Sequence, residues 1–222
     1  AGAYFAWRSF QADASLLGWG FSLFAPLFER QNFVPVDCSP ASADERGAYN
    51  SALIDDPRFI RIATPLRAPV DAIPLENESA DVVIIPNLVH HVEDQFAMFG
   101  ETRRLLKANG ELYIFEPLVR ELHQVPDDFL RYTPYGLASV LRQMGLEPGK
   151  PKMEGGPFSV IAYCWIQALQ YLPEDERPIR QKWFEEQHFP ELMQLDAENP
   201  VNLVRKHTSF PMGFSISASK PV

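Results

Sequence analysis

Between residues 74 and 117 the spacing of apolar side chains changes twice. Asp81 opens an unbroken run, Val82, Val83, Ile84 and Ile85, and such a run suits a strand covered on both faces, as in a parallel sheet. Phe96, Phe99, Arg103 and Leu106 then recur at three-to-four spacing, which predicts a helix with Phe96, Phe99 and Leu106 on one face. Asn109-Gly110 ends that helix and turns the chain into a second buried strand over 111–115. Strand, helix, strand at this length is a βαβ crossover.

The rest of the chain alternates in the same way. Leu16-Leu17-Gly18-Trp19-Gly20 precedes a helical pattern with Phe21, Phe24, Leu27 and Phe28 on one face. Phe33 to Asp37 reads as a strand, 42–54 as a helix, 58–63 as a short strand, and 64–74, with three prolines, as a loop. Thr133 is placed to cap a helix that has Pro134 at its first position, Leu137, Val140, Leu141 and Met144 on one face, and Gly145 at its end. Phe158, Ile161, Ala162, Trp165, Leu169 and Leu172 form a further apolar helical face, and 210–221 alternates like a closing strand.

Several stretches resemble one family. They are Ile73-Pro74-Leu75, Ser79-Ala80-Asp81-Val82-Val83, Leu88-Val89-His90-His91-Val92-Glu93-Asp94, Arg104 to Leu112, and Glu116-Pro117. Their order and spacing resemble the second half of a Rossmann-like (class I) S-adenosylmethionine (SAM)-dependent methyltransferase of the type 11 kind. The resemblance implies an α/β fold: a doubly wound, mostly parallel sheet with helices on both faces and an antiparallel last strand. Residues 1–150 would form the SAM-binding core, 151–209 a helical insertion, and 210–222 the closing strand. In this family three alternating glycines open the first helix; Gly18 and Gly20 stand at the second and third positions, and Leu16 stands at the first. Asp71-Ala72 matches the pair that meets the adenine, and Asn87 the cofactor contact after the fourth strand.

Asp37 ends an apolar segment, and a carboxylate there can accept both hydroxyls of a ribose. It can equally cap a turn or the following helix. His90 and His91 start a helix, where adjacent side chains diverge, so they make a poor pair for one metal, and no metal is expected. Packing and a base or substrate contact both remain open for them. His91, Glu116 and His123 are the acid–base candidates. Residues 122–134 carry a His, a Pro-Asp-Asp and an Arg-Tyr-Thr-Pro. This run resembles methyltransferases of glycan and secondary-metabolite pathways; it also reads as a loop tied by an Asp–Arg pair.

The helical insertion is too aromatic for a solvated linker. It is expected to be an acceptor-side lid, with Tyr163, Trp165 and Tyr171 facing the methyl group and His123 and Arg131 opposite, or else a thickening of the core or a dimer element. The net charge of −9 argues against nucleic acid as the main partner. There is no apolar run long enough to span a membrane. No signal peptide is expected, since the start lacks a charged-then-apolar pattern; the two cysteines, Cys38 and Cys164, are too few for a disulfide framework or a zinc site, and a reducing cytoplasm fits best. The expected activity is methyl transfer from SAM to a small-molecule acceptor. The alternative is a methyltransferase-fold binding or scaffold protein without catalysis, suggested by Leu16 at the first glycine's place. A nicotinamide oxidoreductase fits less well, since its glycine fingerprint is also absent.

Overall fold

The apolar run after Asp81 is the centre of the molecule. In the computed structural model, which describes residues 15–19, 32–37, 66–199 and 210–222, it forms strand β4 (Ala80–Pro86). Val83, Ile84 and Ile85 are wholly buried there, as a strand covered on both faces requires. Around it lie β1 (Ser15–Trp19), β2 (Asn32–Asp37), β3 (Leu66–Arg67), β5 (Leu106–Pro117), β6 (Glu147–Pro148), β7 (Lys152–Glu154) and β8 (Gly213–Ser219). The strand order is β3-β2-β1-β4-β5-β8-β6, with β7 also on β8. The pairs from β3 to β5 are parallel. Strand β8 runs antiparallel to β5, β6 and β7.

Helix α1 (Gln95–Leu105) joins β4 to β5. The Asp94 carboxylate caps it by accepting from the Ala97 amide at 2.9 Å. The buried face differs from the predicted one. Met98, Phe99, Thr102 and Leu105 are fully buried, whereas Phe96 is 48% exposed. Leu106 has left the helix altogether: its backbone is extended and it pairs with Ala80 as the first residue of β5. The Asn109-Gly110 turn therefore lies inside an irregular stretch of β5, between the Leu106 and Glu111 pairings. Asn109 takes the left-handed conformation there, with φ of 62°. A Cβ on Gly110 would come within 2.9 Å of the Lys107 carbonyl oxygen, which explains the glycine.

Helix α2 (Pro134–Gln143) follows the sequence reading closely. Thr133 Oγ1 accepts from the Gly136 amide, Leu137, Val140 and Leu141 are buried, and Gly145 ends the helix with φ of 72°. Among the described residues between β7 and β8 stand three α-helices: α3 (Pro157–Ala168), α4 (Glu176–Gln187) and α5 (Phe189–Glu198). The short strand β3 lies inside the stretch predicted as loop, and the predicted strand over 58–63 and helix over 42–54 fall outside the described residues.

Candidate active site

Parallel strands end together, so the fold gathers the carboxyl ends of β1, β2, β4 and β5 at one edge. The chain order reverses between β1 and β4, and a crevice at such a reversal is where open α/β sheets bind ligands. Asp37 is the last residue of β2, level with Arg67 of β3. Gly18 is not in a turn, as the glycine motif would have it. It lies within β1, paired with Pro35 and Ile84, because the strand runs from Ser15 through Trp19. Gly20, the next glycine, lies outside the described residues. Asp71 and Ala72 are exposed in the turn after β3. Asn87 follows β4, exposed and left-handed with φ of 55°, and its amide donates to the Phe115 carbonyl at 2.6 Å.

Next to this crevice three histidines converge. A 3₁₀ turn, Val89–His91, leaves the end of β4, and His123 comes from the loop after β5. Sequence spacing predicted that the His90 and His91 side chains diverge, but their ring centroids are 4.0 Å apart. His123 sits 5.2 Å from the His90 ring and 4.6 Å from the His91 ring. The reason is that each ring is drawn by a separate acceptor. Glu116, itself buried at the end of β5, takes His90 Nδ1 at 2.7 Å on Oε2. Asp127's carbonyl takes His91 Nδ1 at 2.5 Å. Glu121's carbonyl takes His123 Nδ1 at 3.1 Å, with the Asp128 carboxylate 3.3 Å away.

Those acceptors fix the tautomers. A carbonyl or carboxylate opposite Nδ1 requires the proton on Nδ1 and leaves a lone pair on Nε2. His91 Nε2 is buried with no partner among the described residues. Burial pushes the His91 imidazole down to about 4, outweighing the hydrogen bond to Asp127, which acts in the opposite direction. His91 is thus a neutral ring with a buried, unpartnered lone pair, and too weak a base to strip a proton near neutrality. Glu116 is engaged on both oxygens. Its Oε1 already accepts from the Leu88 and Val89 amides at 2.9 and 2.8 Å, so the carboxylate positions the turn.

The loop after β5 is tied to itself. Asp128 receives both terminal nitrogens of Arg131, at 2.5 and 2.9 Å, and the His123 amide at 3.1 Å. Arg131 holds the Asp128 carboxyl far below the usual carboxylate range. The guanidinium also donates to the Glu121 and Leu130 carbonyls, so Arg131 organises the loop instead of presenting an open fork to a substrate. The Phe129 amide donates to the His90 carbonyl at 2.9 Å and fastens the loop over the histidine turn.

Of the three aromatic residues predicted to face the methyl group, one reaches this loop: the Tyr163 hydroxyl of α3 donates to the Glu121 carboxylate. Trp165 instead packs on α4, its ring 5.4 Å from Phe184 and 5.7 Å from Trp183. Tyr171 is 92% exposed and lines no wall. On α3 Trp165 turns toward α4, and Tyr171, in the 3₁₀ turn Leu169–Tyr171 that follows, lies in solvent; periodicity alone does not distinguish these placements from the cleft. Sequence reasoning also missed the convergence of His90 with His91 and His123, since it depends on Glu116 and Asp127 from other segments.

Residues 16–114 match the family model described as a methyltransferase domain. No curated protein matches the sequence. Among solved structures, the YcgJ protein from Bacillus subtilis is similar over 100% of this chain and 97% of its own, with 14% identity and a TM-score of 0.58. The cyclase SpnF covers 100% of this chain and 80% of its own at 18% identity, TM-score 0.60. A SAM-dependent methyltransferase from Methanosarcina mazei covers 96% and 95% at 13% identity, TM-score 0.54. The match over 16–114 is thus to a methyltransferase domain, and the fold is the Rossmann-like, class I fold of SAM-dependent methyltransferases, whose cofactor is S-adenosyl-L-methionine.

Proposed function

We propose that this enzyme methylates a small-molecule acceptor whose nucleophilic atom is seated against the three histidines, and that it does so in the cytoplasm. The observation that carries the reading is the buried, unpartnered Nε2 of His91 at the carboxyl edge of the sheet, a lone pair in want of an occupant. In this reading, residues at that edge hold the cofactor. Asp37 offers a carboxylate for a ribose diol, Asn87 an exposed amide, and Asp71-Ala72 an exposed turn for a base. S-adenosylmethionine supplies a methyl group already activated by its sulfonium.

What the chain contributes is alignment. Glu116, Asp127 and Asp128 hold the histidine rings before the acceptor arrives, so the acceptor loses little further freedom on docking. Helices α3 to α5 act as the acceptor-side lid in this reading, and the Tyr163–Glu121 hydrogen bond is the link that supports it. A lid of this kind excludes water from the transfer. Titration calorimetry with SAM and S-adenosylhomocysteine, followed by transfer of labelled methyl to a panel of phenols, sugars and amines, tests the proposal. Binding of SAM that weakens about 5- to 150-fold in Asp37→Ala is expected, the equivalent of about 1–3 kcal/mol. Absence of SAM binding at millimolar concentration would instead leave a methyltransferase-fold binding protein.

A further inference from the structure

We propose that His90, His91 and His123 bind one divalent transition-metal ion of the zinc class through their Nε2 atoms. The expectation from sequence was that no metal is bound, on the ground that neighbouring histidines diverge. The geometry removes that ground. One nitrogen from each of the three rings lies within 4.8 Å of the others. All three Nδ1 atoms are engaged by acceptors from the protein, so the lone pairs that remain are the three Nε2.

Two features separate this cluster from three histidines that merely pack. First, His90 Nε2 and His123 Nε2 face each other at 3.4 Å. Two lone pairs repel at that separation unless a proton or a cation lies between them. A tetrahedral ion held at about 2.0–2.1 Å from each nitrogen keeps its ligands about 3.4 Å apart, so the spacing suits a cation without rearrangement of these two rings. Second, every ring has an outer partner of the kind that ligating histidines use. Glu116 supplies a carboxylate, Asp127 and Glu121 supply carbonyls, and such partners fix the tautomer and raise the basicity of the ligating nitrogen. Glu116 is in turn locked by two backbone amides, which makes this scaffold rigid.

Three neutral imidazoles and no carboxylate in the inner set favour zinc, cobalt, nickel or copper over magnesium or calcium, which take oxygen ligands. Three protein ligands leave a fourth position open, the arrangement of catalytic zinc sites. An oxygen or nitrogen of the acceptor would take that position; this last assignment rests on the proposed methyl transfer, whereas binding of the ion does not.

The test uses the full chain, stripped with a chelator and titrated with zinc sulfate in the absence of SAM and acceptor. One ion per chain is expected. Cobalt(II) should give the intense visible bands of a four-coordinate site. His91→Ala and His123→Ala should each weaken zinc binding by at least about 100-fold, and Glu116→Gln, which acts through His90 and the turn that carries it, by about 10- to 100-fold. A variant with Cys38→Ser and Cys164→Ser should bind as the parent does. The wild-type cobalt spectrum decides the matter even if a histidine variant fails to fold: weak, six-coordinate bands overturn the proposal. So does zinc binding that is absent, that survives the combined His91→Ala and His123→Ala substitutions, or that disappears with the cysteines. SAM affinity measured on the same stripped protein keeps the two readings apart, since SAM binding without zinc binding overturns only the metal site.

Discussion

Glu116 at the end of β5 and His90 in the turn after β4 are locked together, Oε2 to Nδ1 at 2.7 Å, with both side chains withdrawn from solvent. The same carboxylate accepts the Leu88 and Val89 amides, so it receives three donors and offers none. That count makes Glu116→Gln informative. A carboxamide that keeps its oxygen on the two amides must aim its NH₂ at His90 Nδ1, which then has to give up its proton and move it to Nε2. The variant should fold with a loss of about 1–3 kcal/mol in urea denaturation. Long-range ¹⁵N–¹H spectra of the imidazoles should show His90 protonated on Nδ1 in the parent and on Nε2 in the variant. A His90 ring that keeps its Nδ1 proton in the variant would contradict the assigned role of Glu116.

Tyr163 links the helical segment to the loop that carries His123, through its hydroxyl on Glu121. Burial and the acidic partner push the Tyr163 phenol up to about 12, so the hydroxyl keeps its proton and remains a donor throughout the neutral range. Tyr163→Phe removes the donor and leaves the ring. Expected are a rise in acceptor KM, a smaller fall in kcat, and SAM affinity within about threefold of the parent, because the cofactor edge is not touched. An unchanged acceptor KM would mean that α3 only thickens the core.

The parts of this fold that the sequence made legible are those decided by local pattern. The 81–85 run, the Thr133 cap with Pro134, and Gly145 each act within a few residues, and each stands where predicted. The parts that were not legible depend on partners far along the chain. Phe96 was assigned to the core because its spacing fits, yet Asp94 sets where the helix begins and Ala80 draws Leu106 out into the sheet, which turns Phe96 to solvent. The histidine cluster shows the same limit. His91 is turned by Asp127, 36 residues away, and His90 by Glu116, 26 residues away, so no local rule could bring the rings together. Trp165 has the spacing of a wall residue but finds Phe184 and Trp183 first.

Glu101 gives the acid limb of stability a specific origin. Its two oxygens accept from Arg104 Nε and Nη2, both at 2.7 Å, and from the Ile73 amide at 2.7 Å. Arg104 further donates to the Leu75 and Ile73 carbonyls and to Asn77, so the pair pins the segment that leads into β4. Arg104 holds the Glu101 carboxyl below its ordinary value, against the opposing pull of burial. A depressed carboxyl stabilises the fold fully above its unfolded pKa, about 4.3, and that contribution is lost as pH falls through the lower folded value. Urea midpoints of parent and Glu101→Gln should therefore differ most near neutrality and converge in acid below about pH 4. A gap that does not narrow in acid would assign the stability to packing instead of charge.

Asp196 of α5 caps the start of α3, and this contact ties the two helices together. Its carboxylate accepts from the Phe158 amide at 3.1 Å, from the Ser159 amide at 2.6 Å, and from the Ser159 hydroxyl. Gly156 makes room for it: a Cβ there would stand 2.3 Å from Asp196 Oδ1. Asp196→Ala should cost about 0.5–2 kcal/mol, the usual loss of an N-terminal cap. Gly156→Ala should cost a comparable amount, because the added methyl pushes the carboxylate off the same amides. If one interaction carries both losses, the double variant should be no less stable than the worse single one, a coupling of about 0.5–2 kcal/mol in a double-mutant cycle. Additive losses would show that Gly156 is needed for backbone reasons of its own and that the cap is a separate feature.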